Sequence, residues 1–218
     1  RKAMPYYQRL ISKHTLYLDA QIRLVSIDIM QKNYDDAEAR IEVLVESFED
    51  EISVYEVLSS LRLKQKAYDK LIQETEKALD LGFSQALLFN RAIAFETLKK
   101  FVKLDETLSL ILQVEPEHSE ALNFYGYSLA DRGERLEEAF VLVSKALNIR
   151  PDDGYYLDSL AWVYFKQKQY VKAIEYQNRA VELVPADPVM QEHLGDMYWS
   201  ANEFENARKH WKKAIELK

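Results

Sequence analysis

Cysteine is absent from all 218 residues, which excludes disulfides and thiolate metal sites and leaves the redox compartment open. Glycine and proline number only five each, too few for a β-sandwich or barrel, whose turns consume both. No apolar run approaches the roughly 18 residues that a membrane-spanning helix needs. Catalytic signatures are missing as well: there is no HExxH, GxSxG, glycine-rich phosphate loop or EF-hand loop. The four histidines, His14, His118, His193 and His210, have no metal-ligand spacing to one another. The expectation is a chain without catalytic residues, bound metal or cofactor. Asp152-Asp153-Gly154 is acidic and turn-like, and reads as a connection that needs no calcium. His193, with Glu192 and Asp196 nearby, reads as a histidine hydrogen-bonded to a carboxylate, since a helix brings residues three apart onto one face.

What is present is periodic. With 48% hydrophobic and 30% charged residues, the composition is that of a folded chain rather than a disordered one. Placing 154–187 over 188–218 matches Leu160 with Leu194, Ala161 with Gly195, and Tyr164 with Tyr198. Further on, Tyr170 matches Phe204, Ala173 matches Ala207, Gln177 matches Trp211, and Ala180 matches Ala214. Small residues recur where two helices must touch, and aromatics recur where space between helices must be filled. Pro116, Pro151 and Pro185 each follow a helical stretch, where a residue without an N–H can stop a helix. Counting back from them divides the chain into 18–51, 52–84, 85–118, 119–153, 154–187 and 188–218. The one extra residue of 119–153 falls in Asp131-Arg-Gly-Glu-Arg-Leu136, where it lengthens a turn without shifting either helix face. Each division is predicted to hold two antiparallel helices of about 14 residues, each about 21 Å long. Ala3, Tyr7 and Leu10 fall on second-helix positions, so 1–17 is predicted to be the second helix of a preceding, truncated unit. The segment is expected to belong to a longer array.

At these offsets the chain resembles the tetratricopeptide repeat family, most closely over 119–218 and less so over 18–118. The resemblance implies an all-α fold, a right-handed superhelix (α-solenoid) of antiparallel helix pairs that bury their apolar faces only by stacking. The stretches Tyr125–Gly133, Pro151–Asp153, Asp158–Tyr164 and His193–Trp199 also resemble a group of bacterial tetratricopeptide proteins. That group includes outer-membrane lipoproteins serving as adaptors for a periplasmic C-terminal processing protease, though many members carry Gly where this chain has Ala161. The resemblance implies an adaptor role and a bacterial periplasmic location. Membrane attachment would then come only through an anchor outside this segment.

Arrays of this family bind proteins along their first helices, through the second, fifth, ninth, twelfth and thirteenth residues of each repeat. On that basis the candidate partner-binding groove comprises Glu120, Asn123, Tyr127 and Asp131, then Tyr155, Asp158, Trp162 and Phe165, then Glu192, Asp196 and Trp199. Over all six repeats these positions hold eight acids against two lysines, while the whole chain has 36 acids to 29 bases. For Tyr127, Trp162 and Trp199 two roles are open, groove contact and packing between repeats. Where some family members hold a terminal carboxylate with Lys, Asn and Arg, this chain has Asp158, Trp162, Glu192 and Asp196. The expected partner is a protein or peptide with apolar and basic residues; the resemblance implies the periplasmic protease.

Other roles stay open. The N-terminal Tyr7 and Leu10 face, and Trp211 with Ile215 at the other end, lack capping helices, so a homo-oligomer or self-assembling structural scaffold is the rival reading. A regulatory segment of a larger enzyme or of a secretion or assembly machine is another. Nucleic acid is not expected as a partner: the formal charge is −7, and Lys99, Lys100, Lys103, Lys209, Lys212 and Lys213 lie among acids on predicted solvent faces.

Overall fold

The structure, a computed structural model, describes residues 15–218. Ala3, Tyr7 and Leu10, and with them nearly all of the predicted truncated unit, lie outside the described residues. The rest is helical, in two compact units, one ending at Leu108 and the other beginning at Ser109.

In the N-terminal unit, α1 (Thr15–Met30) pairs with α2 (Tyr34–Ser47), and α3 (Ile52–Lys64) is followed by the short α4 (Tyr68–Glu74) and a 3-10 turn (Glu76–Asp80). Next come α5 (Gln85–Thr97) and α6 (Phe101–Val114), within which the division falls. The C-terminal unit continues with α7 (Ser119–Arg132) and α8 (Leu136–Ile149), α9 (Gly154–Lys166) and α10 (Tyr170–Leu183), and α11 (Pro188–Ser200) and α12 (Phe204–Leu217). No helix among the described residues is long and apolar enough to cross a membrane.

Local signals place the helix ends. Asp153 Oδ1 accepts from the N–H groups of Tyr155 and Tyr156 at 3.0 and 3.3 Å, and Asp187 Oδ1 from those of Val189 and Met190 at 2.8 and 3.1 Å. These carboxylates satisfy donors that a helix start leaves free. The acidic Asp152-Asp153-Gly154 turn therefore serves as a helix cap. Between the helices of each pair, Lys32, Lys66, Lys99, Gly133, Lys168 and Asn202 adopt positive φ of 55–71°. The turn thus has the same left-handed residue in every pair, lysine in four of them, although left-handed backbone is uncommon for that residue.

Stacking requires close approach at the small positions. A Cβ on Gly126 would lie 2.8 Å from the carbonyl oxygen of Ala139, and one on Gly195 would lie 2.3 Å from the Trp211 ring. Ala161, Ala173, Ala180, Ala207 and Ala214 are buried against facing helices. Around them Leu157, Ala180 and Met190 form one core cluster of the C-terminal unit, and Leu122, Ala146 and Tyr156 another. The N-terminal unit buries Leu18, Val25, Ile41, Leu44, Tyr55 and Leu61 in its own cluster. Burying one such leucine or isoleucine contributes about 1.5–3 kcal/mol.

One helix departs from expectation. Between α3 and α5 the predicted second helix of about 14 residues stops after Glu74 and continues as the 3-10 turn. Arg91 on α5 causes the break. Its Nη1 donates to the Ile72 carbonyl and to Thr75 Oγ1, both at 2.9 Å, and its Nη2 to Glu76 Oε2 at 2.5 Å. The Thr75 hydroxyl in turn donates to the Leu71 carbonyl at 2.6 Å. A guanidinium inserted into the i→i−4 ladder interrupts a helix.

Candidate functional site

All eleven candidate residues lie in the C-terminal unit, on α7, α9 and α11, and α9 contacts both of the others. They form two clusters and a few isolated positions.

The first cluster centres on Asp158, which is buried on α9. Its Oδ1 accepts from Gln177 Nε2 on α10 at 2.6 Å and pairs with His193 Nδ1 on α11 at 2.9 Å. Gln177 Nε2 also donates to the Met190 carbonyl at 2.9 Å. The carboxylate therefore holds three helices together. Trp162, 9% exposed, stacks on His193 with centroids 4.3 Å apart and on Phe165 at 5.0 Å. Its Nε1 donates to Asp131 Oδ1 at 3.2 Å, and Lys166 Nζ lies over its ring at 5.1 Å. Of the two roles open for Trp162, packing between repeats is the one its burial describes. Phe165 is half-buried and also meets Tyr170 at 5.9 Å.

The second cluster lies on the last helix pair. Asp196 Oδ1 accepts from Trp211 Nε1 at 2.9 Å, and Trp199 packs edge-on against Phe204 at 4.8 Å while remaining 53% exposed. His193 is thus hydrogen-bonded to a carboxylate, on the preceding pair rather than at Asp196 or Glu192. Burial acts to lower its pKa, but the hydrogen bond and charge of Asp158, with Asp196 and Glu192, raise it above 6.5 overall.

The remaining positions vary. Tyr155 is 56% exposed, Tyr127 is half-buried, and Asn123 is half-buried with its Oδ1 enclosed and without a hydrogen-bond partner. Glu120 is bonded to Arg150, and Glu192 pairs with Lys218 at 3.0 Å. Asp131 has Lys166 Nζ at 3.8 Å. Every one of the five acids in this unit therefore has a partner of its own. Counting charges at groove positions overstates the field a partner would meet, because Arg150, Lys218 and His193 come from positions outside the count.

Three buried polar residues lie outside the candidate set. Gln177 stands where Trp211 stands in the next repeat, and a polar residue at an aromatic packing position is the signal for the Asp158 network. Arg62 and Arg91, in the N-terminal unit, occupy places held by Tyr164 and Leu160 in 154–187. Both are buried. Among the described residues, no group of three or more His, Cys, Asp or Glu is arranged to hold a metal ion.

Tetratricopeptide repeat models match residues 154–187 and 190–218. A TPR repeat-containing protein of Pseudomonas aeruginosa is 31% identical over 185 residues, which cover 83% of this chain and 31% of that protein. The chain thus spans about a third of that relative's length. Among solved structures, a tetratricopeptide repeat protein from Parabacteroides merdae superposes with a TM-score of 0.78 at 17% identity, over 91% of this chain and 79% of the other. YrrB, described as a TPR protein with an unusual peptide-binding site, superposes at 0.62 with 18% identity, over 76% and 86% of the two chains. At such identities the structural similarity is one of fold. Helix pairs with left-handed turns, small residues at the crossings and two matched repeats lead to one family: the chain is a tetratricopeptide-repeat protein.

Proposed function

We propose that the chain is a non-catalytic scaffold or adaptor that binds a partner polypeptide on the face made by α7, α9 and α11. The exposure of Tyr155 and Trp199, at 56% and 53%, carries this reading. Large aromatics are the side chains that most often anchor protein interfaces, and both stand at positions the family uses for binding. Trp162, Asp158 and His193 form the rigid wall between them and hold the helices in register. Glu120, Asp131 and Glu192 remain about half-exposed in their ion pairs. Basic residues of a partner would compete for them with Arg150, Lys166 and Lys218. YrrB, with its peptide-binding site, lends support at the level of fold.

The finer reading is that the partner is a C-terminal processing protease of the bacterial periplasm, with the chain tethered at the outer membrane. It rests on the resemblance carried by Tyr125–Gly133 and His193–Trp199. Replacing Tyr155→Ala together with Trp199→Ala should reduce partner capture at least tenfold while leaving the helical circular dichroism and melting unchanged. Undiminished capture by that folded double variant would remove this face from the account. Capture of a protease of another class, or of no protease, would remove the finer reading alone.

A further inference from the structure

The N-terminal unit contains a cleft of about 930 Å³ between α2, α3 and the α4–3-10 segment. Here the second helix ends at Glu74, and the 3-10 segment Glu76–Asp80 that follows lines the cleft beside α2. Ile41, Val45 and Leu58 form an apolar floor, and Glu42, Glu46 and Asp80 stand at the rim. A volume of this order is that of pockets that hold ligands.

The charges of the lining divide into two groups. Arg62 is held by Glu38 and Glu74, with its Nε 2.5 Å from Glu74 Oε2, and Lys70 sits 3.3 and 3.4 Å from the same two carboxylates. Lys77 lies over the Tyr55 ring at 5.4 Å, and Glu76 is taken by Arg91. Glu42, Glu46 and Asp80 have no ion pair or hydrogen bond among the described residues, and all three are exposed. Internal pairing thus takes up Arg62 and Lys70, Lys77 rests on Tyr55, and three carboxylates stay free on the rim. Two of these, Glu42 and Glu46, are four residues apart on α2 and so stand one turn apart on the same face.

We propose that this cleft docks a basic amphipathic helix from a partner protein. An aliphatic or aromatic side chain of that helix enters over Ile41, Val45 and Leu58. Lysine or arginine residues spaced four apart reach Glu42 and Glu46, and a third reaches Asp80. The cleft belongs to the N-terminal unit and is lined by α2, α3 and the α4–3-10 segment, so this site is additional to the face of α7, α9 and α11 and does not depend on it.

The test uses the full chain, isotopically labelled, and two synthetic amphipathic peptides of about 14 residues, a length at which isolated helices are only marginally stable. One carries a leucine face flanked by lysines at four-residue spacing; the other has glutamate at each lysine. The lysine peptide is expected to shift the amide resonances of Val45, Gln73 and Lys77. Glu42→Lys with Glu46→Lys, a surface change that leaves the core intact, should weaken it about tenfold or more. Val45→Trp, which fills the cleft at unchanged charge, should also abolish binding. High salt should weaken the wild-type interaction, as for any exposed charge pairing. Shifts confined to α7, α9 and α11, equal binding of the glutamate peptide, or an affinity untouched by the double charge reversal would each overturn the proposal. If Val45→Trp does not fold, the charge reversal alone decides.

Discussion

His193 on α11 places its Nδ1 2.9 Å from the Oδ1 of Asp158 on α9, across 35 residues of sequence. Trp162 covers the imidazole at 4.3 Å. The pair joins two successive first helices at the centre of the proposed binding face, and Gln177 ties the same carboxylate to α10.

This pairing makes stability depend on pH. The pKa of His193 is raised above 6.5 in the folded chain, because Asp158, Asp196 and Glu192 outweigh the opposing effect of burial. Its stabilisation is therefore fully present below the unfolded value of about 6.5 and is lost as pH rises through the folded value. Urea midpoints should fall between about pH 6 and pH 8.5, and His193→Gln should flatten that slope. His193→Ala should cost about 1.5–3 kcal/mol at the lower pH, the range for a hydrogen bond to a charged group. A wild-type slope no steeper than that of the glutamine variant would refute the assignment.

Gly126→Ala and Gly195→Ala test the close helix crossings. In an exposed helix this change gains up to about 1 kcal/mol through propensity. Here the new methyl would meet the Ala139 carbonyl at 2.8 Å or the Trp211 ring at 2.3 Å. Net destabilisation of about 1–3 kcal/mol is expected from overpacking. The larger loss should occur at Gly126, where the obstacle is backbone. Denaturant titration of both variants gives the answer, and a gain in stability would contradict the packing.

The spacing of Leu160, Ala161 and Tyr164 and of their partners Leu194, Gly195 and Tyr198 makes helix pairing and stacking legible from sequence, because close contacts demand small residues at fixed offsets. Pairing of charges is not legible in that way. Glu192 finds Lys218 and Glu120 finds Arg150, both far along the chain, so an acidic count at groove positions says little about the net field. The buried Arg91 was equally hidden. Its place in the pattern belongs to leucine, and only the fold reveals that it captures the Ile72 carbonyl and breaks a helix.

Arg62 provides an acid-side counterpart to His193. Its hydrogen bonds to Glu38, aided by Gln65 and Lys70 against the opposing effect of burial, hold the Glu38 pKa down to about 2 from 4.5. The resulting stabilisation is present above the unfolded value and is lost as pH falls through about 2. In Arg62→Gln the Glu38 carboxyl should titrate near the ordinary glutamate range, which carboxyl carbon NMR reads directly. An unchanged Glu38 titration would show that the guanidinium is not the cause.

Trp162→Ala should lower stability by about 3–5 kcal/mol, the cost of deleting a buried aromatic. Its indole is wedged between Phe165 and His193 and is only 9% exposed. Thermal unfolding measures this, and a melting temperature equal to wild type would return Trp162 to the partner-contact surface. Asp158→Lys would place a cation beside His193 and should unfold the pair of repeats, so it does not report on partner charge.

The central claim, that a polypeptide lies along α7, α9 and α11, is tested most directly by photo-crosslinking in native host extract. Tyr155→p-benzoylphenylalanine and Trp199→p-benzoylphenylalanine would be compared with Val171→p-benzoylphenylalanine, the last on α10 and 83% exposed. The account predicts that positions 155 and 199 capture the same polypeptide and that position 171 does not. Capture from position 171 alone, or different polypeptides at 155 and 199, would contradict it.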